Sequence, residues 1–265
     1  MLIVGIPYLA PEAIAGAKIR TPERLDTVMA ERLGEQLGLP VKLVQIDPAQ
    51  QANALTTGQV DLLIGDHIAG QSTPGLTTHN MPAPAGENVT HRTDQPVPAQ
   101  ADQHIAAIPT GYAARPKAII RSDTTLQHWK DAKGLTVCMS TAAFQAQALA
   151  QQWGTTVRTY RVPSDALVAV REGNCDIGLI DDVTWAPLMK FPEWKKFSST
   201  LSENGPRAER VWLIPDHDVA TKTWLTDTMK EWRRQGTINT MIEKWARDVA
   251  FDVYLDQEVP DCHGG

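Results

Sequence analysis

A nine-residue pattern occurs twice in this chain, and it limits the fold more than any other feature. Gly58-Gln59-Val60-Asp61-Leu62-Leu63-Ile64-Gly65-Asp66 returns as Gly173-Asn174-Cys175-Asp176-Ile177-Gly178-Leu179-Ile180-Asp181, 115 residues later. Each copy follows a segment with helical character, 50–57 with Ala54 and Leu55, and 164–172 with Leu167, Val168 and Val170. The glycine suits the left-handed residue that ends a helix. The inner aspartate suits a tight turn, and the short apolar run reads as a buried parallel strand. The final aspartate then falls at a strand's carboxyl end, where open α/β sheets bind ligands. Two such units predict two similar α/β lobes facing each other across a cleft.

The 265 residues suffice for two domains of roughly 100–150 residues. A net charge of −6 with no basic patch argues against nucleic acid as a partner. No apolar run approaches the roughly 20 residues that cross a bilayer. The opening Met1-Leu2-Ile3-Val4-Gly5-Ile6 enters a strand with no basic segment, long apolar stretch or cleavage site before it. By itself that leaves a cytosolic protein or a mature exported form.

Periodicity places a helix from about Pro22 through Leu25, Val28, Met29, Leu33 and Leu37, ended by Gly38 and Pro40. Val41–Ile46 and Leu62–Ile64 read as strands, so the first part alternates strand and helix as a parallel sheet does. The stretch 69–102 is proline-rich and lacks periodicity, which marks an insert longer than an ordinary connection. Leu135–Met139 and Val157–Val162 read as strands, with Ser140 or Thr141 able to cap a helix running to Gly154. Arg210–Ile214 reads as a strand returning to the first lobe, and helices near 220–234 and 238–248 close the chain, with Trp232 and Trp245 in the core. The expected architecture is therefore α/β, two Rossmann-like lobes joined by a two-strand hinge at 113–117 and 207–211. Lobe 1 spans 1–113 and 210–265 with the insert 69–102, and lobe 2 spans 114–209. Cys138 and Cys175 meet if their strands are neighbours, or stay as two buried thiols if not. Cys262 is left over.

In this order and spacing, four segments resemble the extracellular solute-binding proteins of bacterial ABC importers, in the family that includes the polar amino-acid binders. They are Gly5-Ile6-Pro7-Tyr8-Leu9-Ala10-Pro11, the helix from Asp26 to Gly38 followed by Pro40-Val41-Lys42-Leu43-Val44, Gly58-Gln59-Val60-Asp61-Leu62, and Gly236-Thr237-Ile238 followed by Ile242-Glu243-Lys244-Trp245. The resemblance implies a type II periplasmic binding fold, a periplasmic location, a small-molecule solute and a membrane ABC permease as partners, a monomer, and no cofactor, metal or catalysis. It implies ligand contacts from Tyr8 and Asp66 on one lobe and from Ser140, Thr141, Asp181 and Trp185 on the other. It also implies a disulfide between Cys138 and Cys175. One departure stands out. Such amino-acid binders carry a Thr-x-x-Arg segment soon after the first repeat unit, and here no arginine follows until Arg92. A bidentate guanidinium is hard to replace in carboxylate recognition. The expected ligand therefore shifts toward a cationic, neutral polar or bulkier solute.

Other classes remain as alternatives. An accessory or sensor protein would present its ligand to a membrane or enzyme partner. His67, His79, His91 and His104, with Met81 nearby, would place a metal at the insert. A catalytic relative would use Asp66 or Asp181, although no hydrolase, zinc-protease or phosphate-loop motif is present.

Overall fold

The computed structural model describes residues 1–11, 25–68, 76–77, 105–202 and 206–255. In chain order the elements are β1 (Leu2–Ile6), α1 (Leu25–Leu37), β2 (Val41–Gln45), α2 (Gln51–Thr56), β3 (Leu62–Ile68), β4 (Leu76–Thr77), β5 (Ile105–Ala114) and β6 (Pro116–Ile119). There follow β7 (Thr136–Ser140), α3 (Phe144–Gln152), β8 (Thr156–Tyr160), α4 (Pro163–Arg171), β9 (Ile177–Asp181), α5 (Asp182–Leu188), β10 (Ala208–Pro215), α6 (Val219–Gln235) and α7 (Thr237–Leu255).

Two sheets form, in the orders β2-β1-β3-β10-β5-β4 and β6-β9-β7-β8. The repeat explains their likeness. β3 pairs in parallel with β1 and antiparallel with β10, while β9 pairs in parallel with β7 and antiparallel with β6. Each repeat glycine ends its helix with positive φ, 69° at Gly58 and 79° at Gly173. Each inner aspartate then does the same work. The Asp61 carboxylate accepts the Ile3 N–H at 2.7 Å, and its own N–H donates to the Ile3 carbonyl at 2.9 Å. Asp176 treats Thr136 identically, at 2.8 and 3.0 Å. A local turn residue thus fixes where the neighbouring parallel strand begins.

The chain leaves the larger sheet at the end of β5 and enters the smaller one at β6, with Arg115 alone between them. It returns between Ser199, which still bridges Ile120, and Ala208 at the start of β10. Asp182 holds both passages. Its carboxylate, on a side chain 4% exposed, accepts the Arg115 N–H at 3.2 Å and pairs with the guanidinium groups of Arg115 and Arg207. Arg207 also donates to the Ala113 carbonyl at 2.6 Å.

The helix α7 reaches beyond the sheet that precedes it. It packs on α4 and α5, and Asp252 accepts the Ser164 hydroxyl at 2.9 Å. One apolar cluster consequently runs from Val4, Met29 and Leu33 through Trp212 and Trp232 to Leu167 and Leu188. A second cluster around Trp129, Met139 and Leu149 fills the other face of the smaller sheet. Trp232 is buried as its helical spacing predicts.

Cys138 lies on β7 opposite Gly178 of β9, which brings it beside Cys175, and the two form a disulfide with Cα atoms 5.9 Å apart. The expected cap of the following helix is different in the structure. α3 starts at Phe144 behind Ala143, and neither Ser140 nor Thr141 caps it. The Ser140 hydroxyl instead accepts the Ala142 N–H at 3.2 Å, closing a turn before the helix begins. The histidines His79, His91 and His104 and the residue Cys262 lie outside the described residues, as do most positions of the insert 69–102.

Candidate functional site

A cleft opens between the two sheets, and its polar walls come from the two ends of the repeat. Asp66 closes the first copy on β3, directly opposite Arg210 of β10 in the antiparallel register. Its carboxylate accepts the Arg210 Nε–H at 2.7 Å. Asp26, the second residue of α1, takes the guanidinium from the other side. Arg210 and Asp26 have side chains only 5% and 3% exposed, and Asp66 is 29% exposed at the cleft surface. A buried arginine needs such partners, because an unpaired charge there would be strongly destabilising.

Tyr112 stands beside this group because β5 bulges. The β5–β10 register shifts between Glu209 and Val211, so that Thr110, Gly111 and Tyr112 face Arg210. Gly111 takes φ 88°, and the Thr110 hydroxyl, fully buried, donates to the Arg210 carbonyl at 2.8 Å and accepts the Tyr112 N–H at 3.1 Å. Bulges of this kind re-aim side chains near sites. The Tyr112 ring lies 5.4 Å from the Arg210 guanidinium, and its hydroxyl crosses the cleft to donate to Asp181 at 2.5 Å.

Asp181 ends the second repeat copy. In its register it faces Pro116 of β6, where Asp66 in the first copy faces arginine. The Thr184 hydroxyl donates to the Asp181 carbonyl at 2.7 Å and lines the same wall. Ser140, Ala142, Gln145 and Ala146 form the adjoining surface at the start of α3, and Trp245 of α7 also lines the cleft. The backbone donors of the turn before α3 already have partners. Thr141 N–H reaches the Tyr160 carbonyl at 2.8 Å, Ala142 N–H the Ser140 hydroxyl, and Ala143 N–H the Ser140 carbonyl at 3.1 Å.

Of the residues singled out by sequence, Asp66, Ser140 and Asp181 line this cleft together. The other three are not among its lining residues. Tyr8 donates from β1's end to the Arg161 carbonyl at 3.2 Å, bridging the lobes, while Arg161 reaches back to the Pro11 carbonyl. The Thr141 hydroxyl donates to the Tyr160 carbonyl at 3.0 Å. Trp185 packs against the core with the Lys117 ammonium 4.7 Å from its ring centre. Sequence reasoning missed Arg210, Asp26, Tyr112 and Thr184. Two signals were present: an arginine opening the apolar run Val211-Trp212-Leu213-Ile214, and Pro109-Thr110-Gly111 interrupting a strand. Among the described residues no group of three or more histidine, cysteine or carboxylate side chains is arranged to hold a metal, and no helix is long and apolar enough to cross a membrane.

No protein-family model and no curated protein sequence matches this chain. Solved structures do match in shape. The substrate-binding protein of an amino acid ABC transporter is 16% identical, with 92% of this chain and 98% of that one covered at a TM-score of 0.54. An ancestral cationic amino acid solute-binding protein is 18% identical, covering 92% and 94% at 0.55. A Bacillus subtilis protein is 16% identical, covering 97% and 92% at 0.55. The chain therefore has the two-lobed α/β fold of the substrate-binding proteins of amino acid ABC transporters.

Proposed function

We propose that this protein captures a small polar solute in the cleft between its lobes and delivers it to an ABC importer outside the cytoplasm. The observation that carries the reading is the convergence of Asp66, Tyr112 and Arg210 from one sheet with Ser140, Asp181 and Thr184 from the other side on a single cleft. Contacts shared between lobes make closure and binding one equilibrium, because a ligand touching both walls favours the closed form by its differential affinity. Hinge motion about Arg115 and the return at 206–208 would open it, with Asp182 holding both passages. Tyr8 and the Tyr112–Asp181 hydrogen bond would part as the lobes separate.

The disulfide supports an oxidising compartment, such as the periplasm or the cell exterior. The structural neighbours described as transporter components support delivery to a permease. In this reading the protein binds and does not transform its ligand, and Asp181 receives a cationic group.

Calorimetric titration against amines, amino acids, sugars and organic acids tests it. One solute class should bind, and Asp181→Ala should weaken a cationic ligand at least tenfold, as loss of a charge-assisted hydrogen bond of roughly 1.5–3 kcal/mol requires. Silence across the panel, or a ligand indifferent to Asp181→Ala, would refute the assignment.

A further inference from the structure

We propose that α7 belongs mechanically to the smaller lobe, so that the cleft opens about three points, the third being Gly236. The motion rests on the solute-capture reading, whereas the assignment of the helix rests on its packing. By chain order α7 follows β10 and α6, which belong to the larger lobe, and the sequence pattern places it with them. Its contacts divide otherwise. α7 packs most extensively on α5 and α4, and more thinly on α6 and α1. Polar contacts join it to α4 as well. The fully buried Ser164 hydroxyl donates to Asp252 at 2.9 Å. Arg171 donates to the carbonyl of Val253, one of the last four of α7, which have no acceptor role inside the helix. Lys190, just past α5, pairs with Glu243 at 3.1 Å. Toward the larger lobe the fit is looser. A groove runs where α5 and α7 meet β5, with Pro187, Ile238 and Ile242 on one side and Gly111 and Ala113 on the other.

Opening must divide α7 from one lobe or the other. Parting it from α4 would strand the buried Ser164 hydroxyl, and an unsatisfied buried group costs more than a made hydrogen bond returns. Sliding it along the groove and over α1 breaks less. The joint for that motion is present. Gly236 alone separates α6 from α7, in the left-handed region at φ 68°, with nothing within 4 Å of the place a Cβ would occupy. Hinges concentrate their φ/ψ change in a few such residues at element ends. Trp245, which lines the cleft from α7, then travels with the wall that carries Asp181 and Thr184.

Hydrogen exchange on the full chain, read by mass spectrometry without any solute, tests the assignment, because elements that open together exchange together. Replacing Cys138 and Cys175 by serine loosens the smaller lobe from within, since the bridge ties β7 to the turn before β9. Amides of α4, α5 and α7 should then exchange at least tenfold faster, by matching factors, while those of α1 and α2 keep their rates. Leu149→Ala, in the cluster on the other face of the smaller sheet, should give the same pattern with the bridge intact. Leu63→Ala, buried on the α2 face of the larger sheet, should speed α1 and α2 and leave α7 and α4 alike. An α7 factor that follows α1 and not α4, or equal factors along the whole chain, overturns the proposal. Silence of every solute in calorimetry would instead remove the capture reading and leave this exchange pattern as it is.

Discussion

Replacing Arg210 by methionine tests the electrostatic account of the cleft floor through stability alone. Methionine keeps an unbranched apolar stem without the charge and donors. The variant leaves Asp26, whose side chain is 3% exposed, with a carboxylate in the interior and without the Arg210 guanidinium. Asp66 loses the Arg210 contact too, but at 29% exposure water can take over much of that role. Breaking a buried pair from one side costs about 3–5 kcal/mol, because one charge is stranded away from water. For lobes of this size, each kcal/mol moves the melting midpoint by about 2–4 °C, so Arg210→Met should melt about 6–20 °C lower. Adding Asp26→Leu to Arg210→Met removes the stranded charge, and the double variant should recover at least half of the loss, the non-additivity that coupled neighbours show. Urea denaturation of wild type, both single variants and the double variant closes the cycle. A loss below about 1 kcal/mol for Arg210→Met, or strict additivity in the double variant, would refute the pairing described here.

Three further outcomes follow from separate parts of the molecule. Reducing the Cys138–Cys175 bridge, or replacing both cysteines by serine, should cost up to about 4 kcal/mol from the 37-residue separation, read as a lower urea midpoint under reducing conditions. Asp218 caps α6 by accepting the Thr221 N–H at 3.0 Å, and the Thr221 side chain and backbone hold its carboxyl below the usual range. Its folded pKa is thus depressed, so its contribution is present above the unfolded value near 3.9 and lost as pH falls through the folded value. Asp218→Ala should cost about 1 kcal/mol at pH 7 and progressively less in melts taken at pH 4 and pH 3. Gly173→Ala should cost about 1 kcal/mol by melting, because φ 79° strains any side chain although nothing crowds the added methyl. A neutral result there would mean the turn relaxes.

What was legible in the sequence was whatever depends on neighbours along the chain. The repeat gave two units of helix, turn and parallel strand, and Asp61 and Asp176 perform the same task in both because each acts on the strand beginning next to its own turn. The cysteine pair was readable to the extent that the two strands could be neighbours. The helix cap was less so. Ser140 has the right chemistry for an N-cap, yet its hydroxyl closes a turn on Ala142 and the helix begins later.

The repeat aspartates mark where sequence stopped. Asp66 and Asp181 occupy equivalent places in equivalent strands, and nothing local distinguishes them. Tertiary structure does, by setting Arg210 of a distant strand opposite the first and Pro116 opposite the second. Asp26 reaches Arg210 across 184 positions, and Tyr112 reaches Asp181 across 69. Periodicity and turn chemistry determined that two lobes would form and that each would end a strand in a carboxylate. Only the pairing of β10 with β3 and the bulge of β5 beside it decided that Asp66 meets Arg210 and that Asp181 meets Tyr112, because partners of a buried charge are selected by the fold and not by sequence proximity.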